Sequence, residues 1–183
     1  MNDSTVVDFM EAVGASGRSL SFVITGDPPS QERARIGVTR PPPNSRLRPY
    51  LYDPSSRRKE RYATMVRTTM ENYGLNTPYF AADEPIMVCV KFILPRRRQD
   101  LLSEGGHTVL TADAQAFPRN KDVDNMLKFL MDALQGVLYE NDVTITKALV
   151  TKLFADEADA PGWTEVRFSS SSQVPPAAAG MWV

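Results

Sequence analysis

Asp122, Asp124, Lys128 and Asp142 are the residues of this chain whose types and spacing could do chemistry. They fall in two runs, Lys121-Asp-Val-Asp-Asn-Met-Leu-Lys128 and Tyr139-Glu-Asn-Asp142. Carboxylates at i and i+2 of a regular helix are turned about 200° apart. They converge only if Asp122 is still extended and Asp124 begins the helix. A helix N-terminus favours carboxylates there and offers free N–H groups to a phosphate oxygen. Lys128, four residues past Asp124, projects from the same face one turn along. It could stabilise a developing negative charge or orient a phosphate. Asp142 lies past the helix and can return to the same end at the start of the next strand. Three carboxylate ligands with waters suit Mg²⁺, which takes carboxylates and substrate phosphates as ligands. Such an ion polarises a scissile phosphate and lowers the pKa of an attacking water. The pattern points to metal-assisted phosphodiester hydrolysis. An isolated Asp-x-Asp is also a common cap or surface pair, and Asp132, next in the row, could simply pair with Lys128.

The elements that must position these residues follow from periodicity. Asp122 to Gln135 reads as a helix closed by Gly136, with Met126, Leu127, Leu130 and Leu134 as its apolar positions and Val137 just beyond. Ser19–Thr25, Pro85–Leu94, Val143–Phe154 and Trp163–Phe168 read as strands. A second helix starts at Asp53-Pro-Ser-Ser56 and runs to Tyr73, with Tyr62, Met65, Val66, Thr69 and Met70 on one face and Gly74 as its stop. Residues 30–54 read as a basic loop or irregular hairpin, with Tyr50-Leu-Tyr52 a possible short strand. Residues 1–17 read as loose or weakly helical, 99–117 as an insertion or mobile loop, and 169–180 as a low-complexity, disordered tail. The expectation is an α+β fold in which a small mixed sheet of about four strands carries two main helices. The domain boundaries expected are a flexible stretch over 1–18, one domain over 19–168 and a tail over 169–183.

Composition narrows the function. The chain has 183 residues, within the range of one domain, and a net charge of −1. That balance conceals an asymmetry. Residues 30–70 hold ten Lys or Arg against three acids, whereas residues 99–183 hold six against twelve. A basic half that meets a polyanion and an acidic half that holds a metal would account for this, as would solvated surface charge. The basic candidates for phosphate contact are Arg33, Arg35, Arg57, Arg58, Lys59, Arg61 and the run Arg96-Arg97-Arg98, the last equally readable as an exposed loop after a strand. Cys89 is the single cysteine, so an intrachain disulfide is excluded, and its apolar surroundings argue for an inert thiol. One histidine, His107, excludes a multi-histidine metal centre in one chain. No signal or transit peptide and no membrane-spanning run is expected.

The run from Asp122 to Asp142 resembles the signature of the RusA family of Holliday junction resolvases. The features in order are Asp-Val-Asp-Asn, Lys128, Asp132-Ala-Leu134, Tyr139 and the pair Asn141-Asp142. The N-terminal part is also similar, with a strand into Gly26-Asp-Pro-Pro-Ser30, a basic segment, Tyr52-Asp-Pro54 and a basic helix, as is the later Val150-Thr-Lys152. The resemblance covers about residues 20 to 168. It implies a Mg²⁺-dependent endonuclease that acts as a homodimer on four-way DNA junctions in recombination and repair, located with DNA inside the cell. It implies that Asp122, Asp124 and Asp142 are the metal-binding catalytic carboxylates and Lys128 the catalytic lysine. The chain departs from the family at Asn141, where an aspartate is frequent, and in residues 99–117 and the tail. A non-catalytic junction- or DNA-binding protein of the same fold is the competing expectation. A nucleotidyltransferase using Asp-x-Asp is a third, against which the lack of a Gly-rich nucleotide loop counts.

Overall fold

The computed structural model describes residues 6–14, 17–39, 48–158 and 160–170. β1 (Val6–Gly14) pairs antiparallel with β2 (Gly17–Thr25). β3 (Arg35–Thr39) and β4 (Arg48–Tyr52) form a separate antiparallel ribbon. α1 (Ser56–Asn72) leads to β5 (Ile86–Leu94). A 3-10 turn over Arg98–Asp100 then opens a second small ribbon, β6 (Leu101–Glu104) with β7 (His107–Leu110). α2 (Val123–Leu134) is followed by a 3-10 turn over Asp142–Thr144, then β8 (Ile145–Phe154) and β9 (Trp163–Ser170).

The main sheet has five strands in the order β1-β2-β9-β5-β8. β8 runs parallel to β5, and the other neighbours are antiparallel. The expected α+β class with a mixed sheet and two helices is therefore what the chain adopts. Alternate residues of the strands explain where the helices lie. Leu20, Phe22 and Ile24 of β2, Ile86, Val88, Val90, Phe92 and Leu94 of β5, and Val166 and Phe168 of β9 share one buried face. Onto it pack Tyr62, Val66 and Met70 of α1 and Met126, Phe129, Leu130, Ala133 and Leu134 of α2. Each such large apolar side chain contributes roughly 1.5–3 kcal/mol on burial. The two helices also meet each other, with the Tyr62 ring edge-on to Phe129 at 5.4 Å.

Four expectations need correcting. Residues expected to be loose or weakly helical include β1, a fifth strand of the sheet. Its acidic residues hide a strand in which Phe9 stacks on Phe22 at 5.6 Å and on Tyr73 at 5.4 Å, and Glu11 accepts from the Tyr79 hydroxyl at 2.7 Å. The insertion over 99–117 contains the β6–β7 ribbon, whose turn is made by Gly105 and Gly106, both at positive φ. Val143 belongs to the 3-10 turn before β8, not to the strand. Ser169 and Ser170, assigned to the tail, are buried and complete β9. The rest of the expected tail, 171–183, lies outside the described residues.

Candidate active site

The start of α2 has the backbone geometry that two carboxylates at i and i+2 require. Asp122 occupies the N-cap with extended backbone, φ −78° and ψ 134°, and its carbonyl accepts the first helical bond from Met126 at 3.1 Å. Asp124 stands in the first turn. The Asp122 side chain makes no capping bond, and among the described residues its one side-chain hydrogen bond is a long one from the Asn125 amide at 3.5 Å. Lys128 follows one turn up. Asp122, Asp124, Lys128 and Asp142 are all exposed. Among the described residues, Asp124, Lys128 and Asp142 have no side-chain hydrogen bond or ion pair.

Asp142 opens the 3-10 turn that feeds β8. The departure at Asn141 has a local explanation. Its side-chain oxygen accepts from the Val143 N–H at 3.2 Å, and its carbonyl accepts from the Thr144 hydroxyl at 2.8 Å. Asn141 is thus the N-cap of the turn that presents Asp142, a duty that asparagine and aspartate perform equally well.

The three carboxylates do not form a ready-made cage. Among the described residues, no group of three or more His, Cys, Asp or Glu side chains is arranged to hold a metal ion. The expected convergence of Asp122, Asp124 and Asp142 is therefore not a preassembled cluster. The donor chemistry still fits a hard cation such as Mg²⁺, which takes one or two carboxylates, retains waters and completes its shell from substrate phosphate.

Two clamps that sequence reading missed hold α2, one at the end that carries Asp122 and one near its other end. The Lys121 ammonium donates to Asp27 Oδ2 at 2.7 Å and to the Pro28 carbonyl at 2.6 Å. Lys152 of β8 donates to the Lys121 carbonyl. The peptide before Asp122 is thus tied both to the loop after β2 and to the edge strand. That loop lies close to the β5–β9 end, because its Gly26 N–H donates to Gly162 O at 2.8 Å. A Cβ at Gly162 would come within 2.9 Å of Pro28 and of the Ile93 carbonyl, so only glycine fits there. The second clamp is Lys59 of α1, which reaches Asp53 and Asp132 at 2.7 Å each. Lys59 was a candidate for phosphate contact and Asp132 was read as able to pair with Lys128; the structure pairs Lys59 with Asp132, joining α1 to α2. Burial opposes the ionisation of Asp53, yet hydrogen bonds from Lys59 and Ser55 outweigh it and hold its pKa below the ordinary 3.8. Burial likewise opposes the charge on Lys59, but the two carboxylates raise its pKa above 10.5. Lys152 had a sequence signal, the likeness of Val150-Thr-Lys152 to the family pattern. Lys121 and Lys59 had none that separates them from other surface lysines.

The remaining basic candidates divide. Arg33, Arg57 and Arg98 are exposed. Arg35 and Arg58 are exposed but share Glu32, at 2.9 and 2.8 Å. Arg61 is exposed. Arg96 donates to the Gln115 carbonyl at 2.7 Å and lies over the Phe154 ring, and Arg97 makes a two-pronged pair with Asp100 at 2.7 and 2.9 Å. Arg96 and Arg97 therefore root the insertion, and of that run only Arg98 is exposed.

The family model described as Endodeoxyribonuclease RusA matches residues 26–161. The chain belongs to the RusA family. The match spans the loop at Gly26, both helices and the whole stretch from Asp122 to Asp142, and the family is one of endodeoxyribonucleases that resolve Holliday junctions. A RusA-family chain is a nuclease for branched DNA, which accords with an exposed acidic helix end beside a basic segment. No curated protein matches the chain. No helix among the described residues is long and apolar enough to cross a membrane.

Proposed function

We propose that this RusA-family protein is a Mg²⁺-dependent, structure-selective endonuclease that resolves four-way junctions by paired nicks in recombination and repair, acting with DNA inside the cell. The observation that carries the reading is the start of α2, where Asp122, Asp124 and Lys128 are presented on a clamped helix end with no ion pair among the described residues. Asp122 and Asp124, joined by Asp142, would hold the ion, which supplies a Lewis acid for the phosphate and a bound water of lowered pKa. The chain's own residues do the rest. Lys128 faces the phosphate and balances charge on its oxygens as the bond to the leaving oxygen lengthens. The free N–H groups of the first turn of α2 receive another phosphate oxygen. Arg33, Arg57 and Arg98 anchor the flanking backbone without reading sequence.

A homodimer is part of the proposal, because a four-way junction is roughly two-fold symmetric and a two-fold dimer sets one site on each of two strands. The outer edge of β8 supports it. Among the described residues that strand pairs on one side only, and its Leu149 and Leu153 expose 50% and 46% of their surface.

The test is cleavage of a synthetic four-way junction. Wild-type protein with Mg²⁺ should give symmetric nicks, and Asp124→Asn should abolish them while its circular dichroism stays native. Cleavage that survives both Asp122→Asn and Asp124→Asn would refute the assignment. Tight junction binding by the wild type with no cleavage in Mg²⁺ or Mn²⁺ would select a non-catalytic binder of the same fold.

A further inference from the structure

The β3–β4 ribbon is not used by the chemistry above, and its surface is unusual. Among the described residues it pairs with no other strand. Ile36 and Leu51 are each 72% exposed, Val38 is 58% exposed, and Tyr50 and Tyr52 are 49% and 40% exposed. The register sorts these residues onto two faces. Ile36 opposes Leu51 and Val38 opposes Pro49 on one face, while Gly37 opposes Tyr50 and Arg35 opposes Tyr52 on the other. The two tyrosine rings sit side by side, with centroids 5.8 Å apart. Gly37 makes room for them, since a Cβ there would lie 2.5 Å from Cζ of Tyr50.

Exposed apolar and aromatic side chains at this density mark an interaction surface, and charge identifies the occupant. Between Glu32 and Asp53 the sequence carries five arginines and no acid. A second copy of so basic a ribbon would be repelled, whereas a nucleic acid is attracted. Paired tyrosines among arginines suit bases whose π-faces are free, and such faces are absent along an intact duplex but present where strands part. The ribbon is also rooted at the acidic site. Just before it, the Gln31 N–H donates to the Asn125 carbonyl in α2 at 3.0 Å, and the Glu32 N–H donates to Ser55 at 3.0 Å. Just after it, Asp53 joins the Lys59 bridge to α2.

We propose that the β3–β4 ribbon is a base-stacking element that receives unpaired bases at the branch point on Tyr50 and Tyr52, next to the phosphate held at the start of α2. The proposal rests on the nuclease reading for its location but not for its chemistry. It makes the enzyme selective for DNA whose bases can leave the stack, and so gives junction preference without sequence readout.

The experiment measures binding of full-length protein, by fluorescence anisotropy without divalent cation, to a labelled oligothymidylate, a matched duplex and a four-way junction. Tyr50→Ala and Tyr52→Ala should each weaken single-strand binding by at least about fivefold and duplex binding by less than about twofold. Tyr50→Phe and Tyr52→Phe keep the ring and should bind like wild type. Gly37→Ala, which pushes the Tyr50 ring aside, should fall between. Equal losses on duplex and single strand, or no loss on either, would overturn the proposal. A fall in sedimentation mass with single-strand binding intact would overturn it too, and would make the ribbon a contact between copies. Asp124→Asn protein should show the same tyrosine dependence. Cleavage that fails while this dependence holds removes the nuclease reading alone, and normal cleavage without it removes only the stacking role.

Discussion

Lys59→Met is the sharpest test of how the helix bearing Asp122 and Asp124 is held. The wild-type ammonium lies 2.7 Å from carboxylates of Asp53 and Asp132, one before α1 and one on α2. Removing it breaks two ion pairs and leaves two carboxylates facing each other. Exposed pairs are worth roughly 0.2–1 kcal/mol, and breaking a buried pair costs roughly 3–5 kcal/mol. Here the lysine side chain is 13% exposed and its partners are 30% and 34% exposed, so solvent screens part of the interaction. The cost should be about 2 kcal/mol. In a chain of 183 residues this lowers Tm by roughly 4–8 °C, readable by calorimetry or urea titration. The pH dependence gives a second readout. The folded-state pKa of Asp53 is depressed, so its contribution is present above 3.8 and is lost as pH falls through the lower folded value. That of Lys59 is raised, so its contribution is present below 10.5 and is lost as pH rises through the higher folded value. The difference between wild type and Lys59→Met should therefore be flat between these limits and shrink beyond each. Adding Asp132→Asn relieves one stranded carboxylate, so the double variant should lose less than the sum of the singles. A cost below about 0.5 kcal/mol, strict additivity, or a gap undiminished in acid would refute the bridge.

Four other outcomes follow from the geometry. Lys128→Met should cut junction cleavage by about 10²–10³-fold if the lysine balances transition-state charge, with stability changed by less than about 0.5 kcal/mol because the side chain is exposed; parallel losses of both would contradict the role. Tyr139→Phe removes the hydroxyl's 2.7 Å bond to the Met131 carbonyl, which keeps its bond from Gln135, so the loss in thermal unfolding should be about 1 kcal/mol. Gly136→Ala places a side chain at φ +75° with no neighbour within 4 Å, so backbone strain alone should cost about 1–2 kcal/mol, and a neutral result would deny that strain. Hydrogen bonds from Arg97, against the opposing effect of burial, hold the Asp100 carboxyl below the usual aspartate range. The stability gap between wild type and Asp100→Asn should accordingly close as pH falls through that lowered value, and a gap constant with pH would show that the pair does not act as a charge pair.

Much of the site was legible because its order along the chain is local. Asp122 before α2, Asp124 inside it and Lys128 one turn on follow from spacing and from helix-end chemistry, and the structure has each of them there. The class of fold was legible for a similar reason, since β2, β5 and α2 carry strong periodic patterns. What escaped depends on partners distant in sequence. The Lys121 and Asp27 pair spans 94 residues, and Lys59 and Asp132 span 73, so no local window can tell these lysines from solvated ones. β1 escaped because, among its described side chains, Phe9 alone is buried, in a strand that bulges between Val7 and Met10 and so breaks its alternation. Convergence of the three carboxylates was an expectation about tertiary distance, and sequence spacing constrains that least.

The sheet order bears on how the molecule is made. β9 is the last described strand to be synthesised, yet it lies between β2 and β5 and hydrogen-bonds to both. Until Trp163–Ser170 emerges, the β1–β2 pair and the β5–β8 pair share no strand, and the face that α1 and α2 cover is split in two. Asp122 to Asp142 have by then already left the ribosome, several seconds ahead of completion of the domain at roughly 5–20 residues per second. The acidic segment therefore spends its first seconds on an unfinished scaffold. A chain stopped before Trp163 would carry every carboxylate named above and still lack the strand that makes the two halves one sheet.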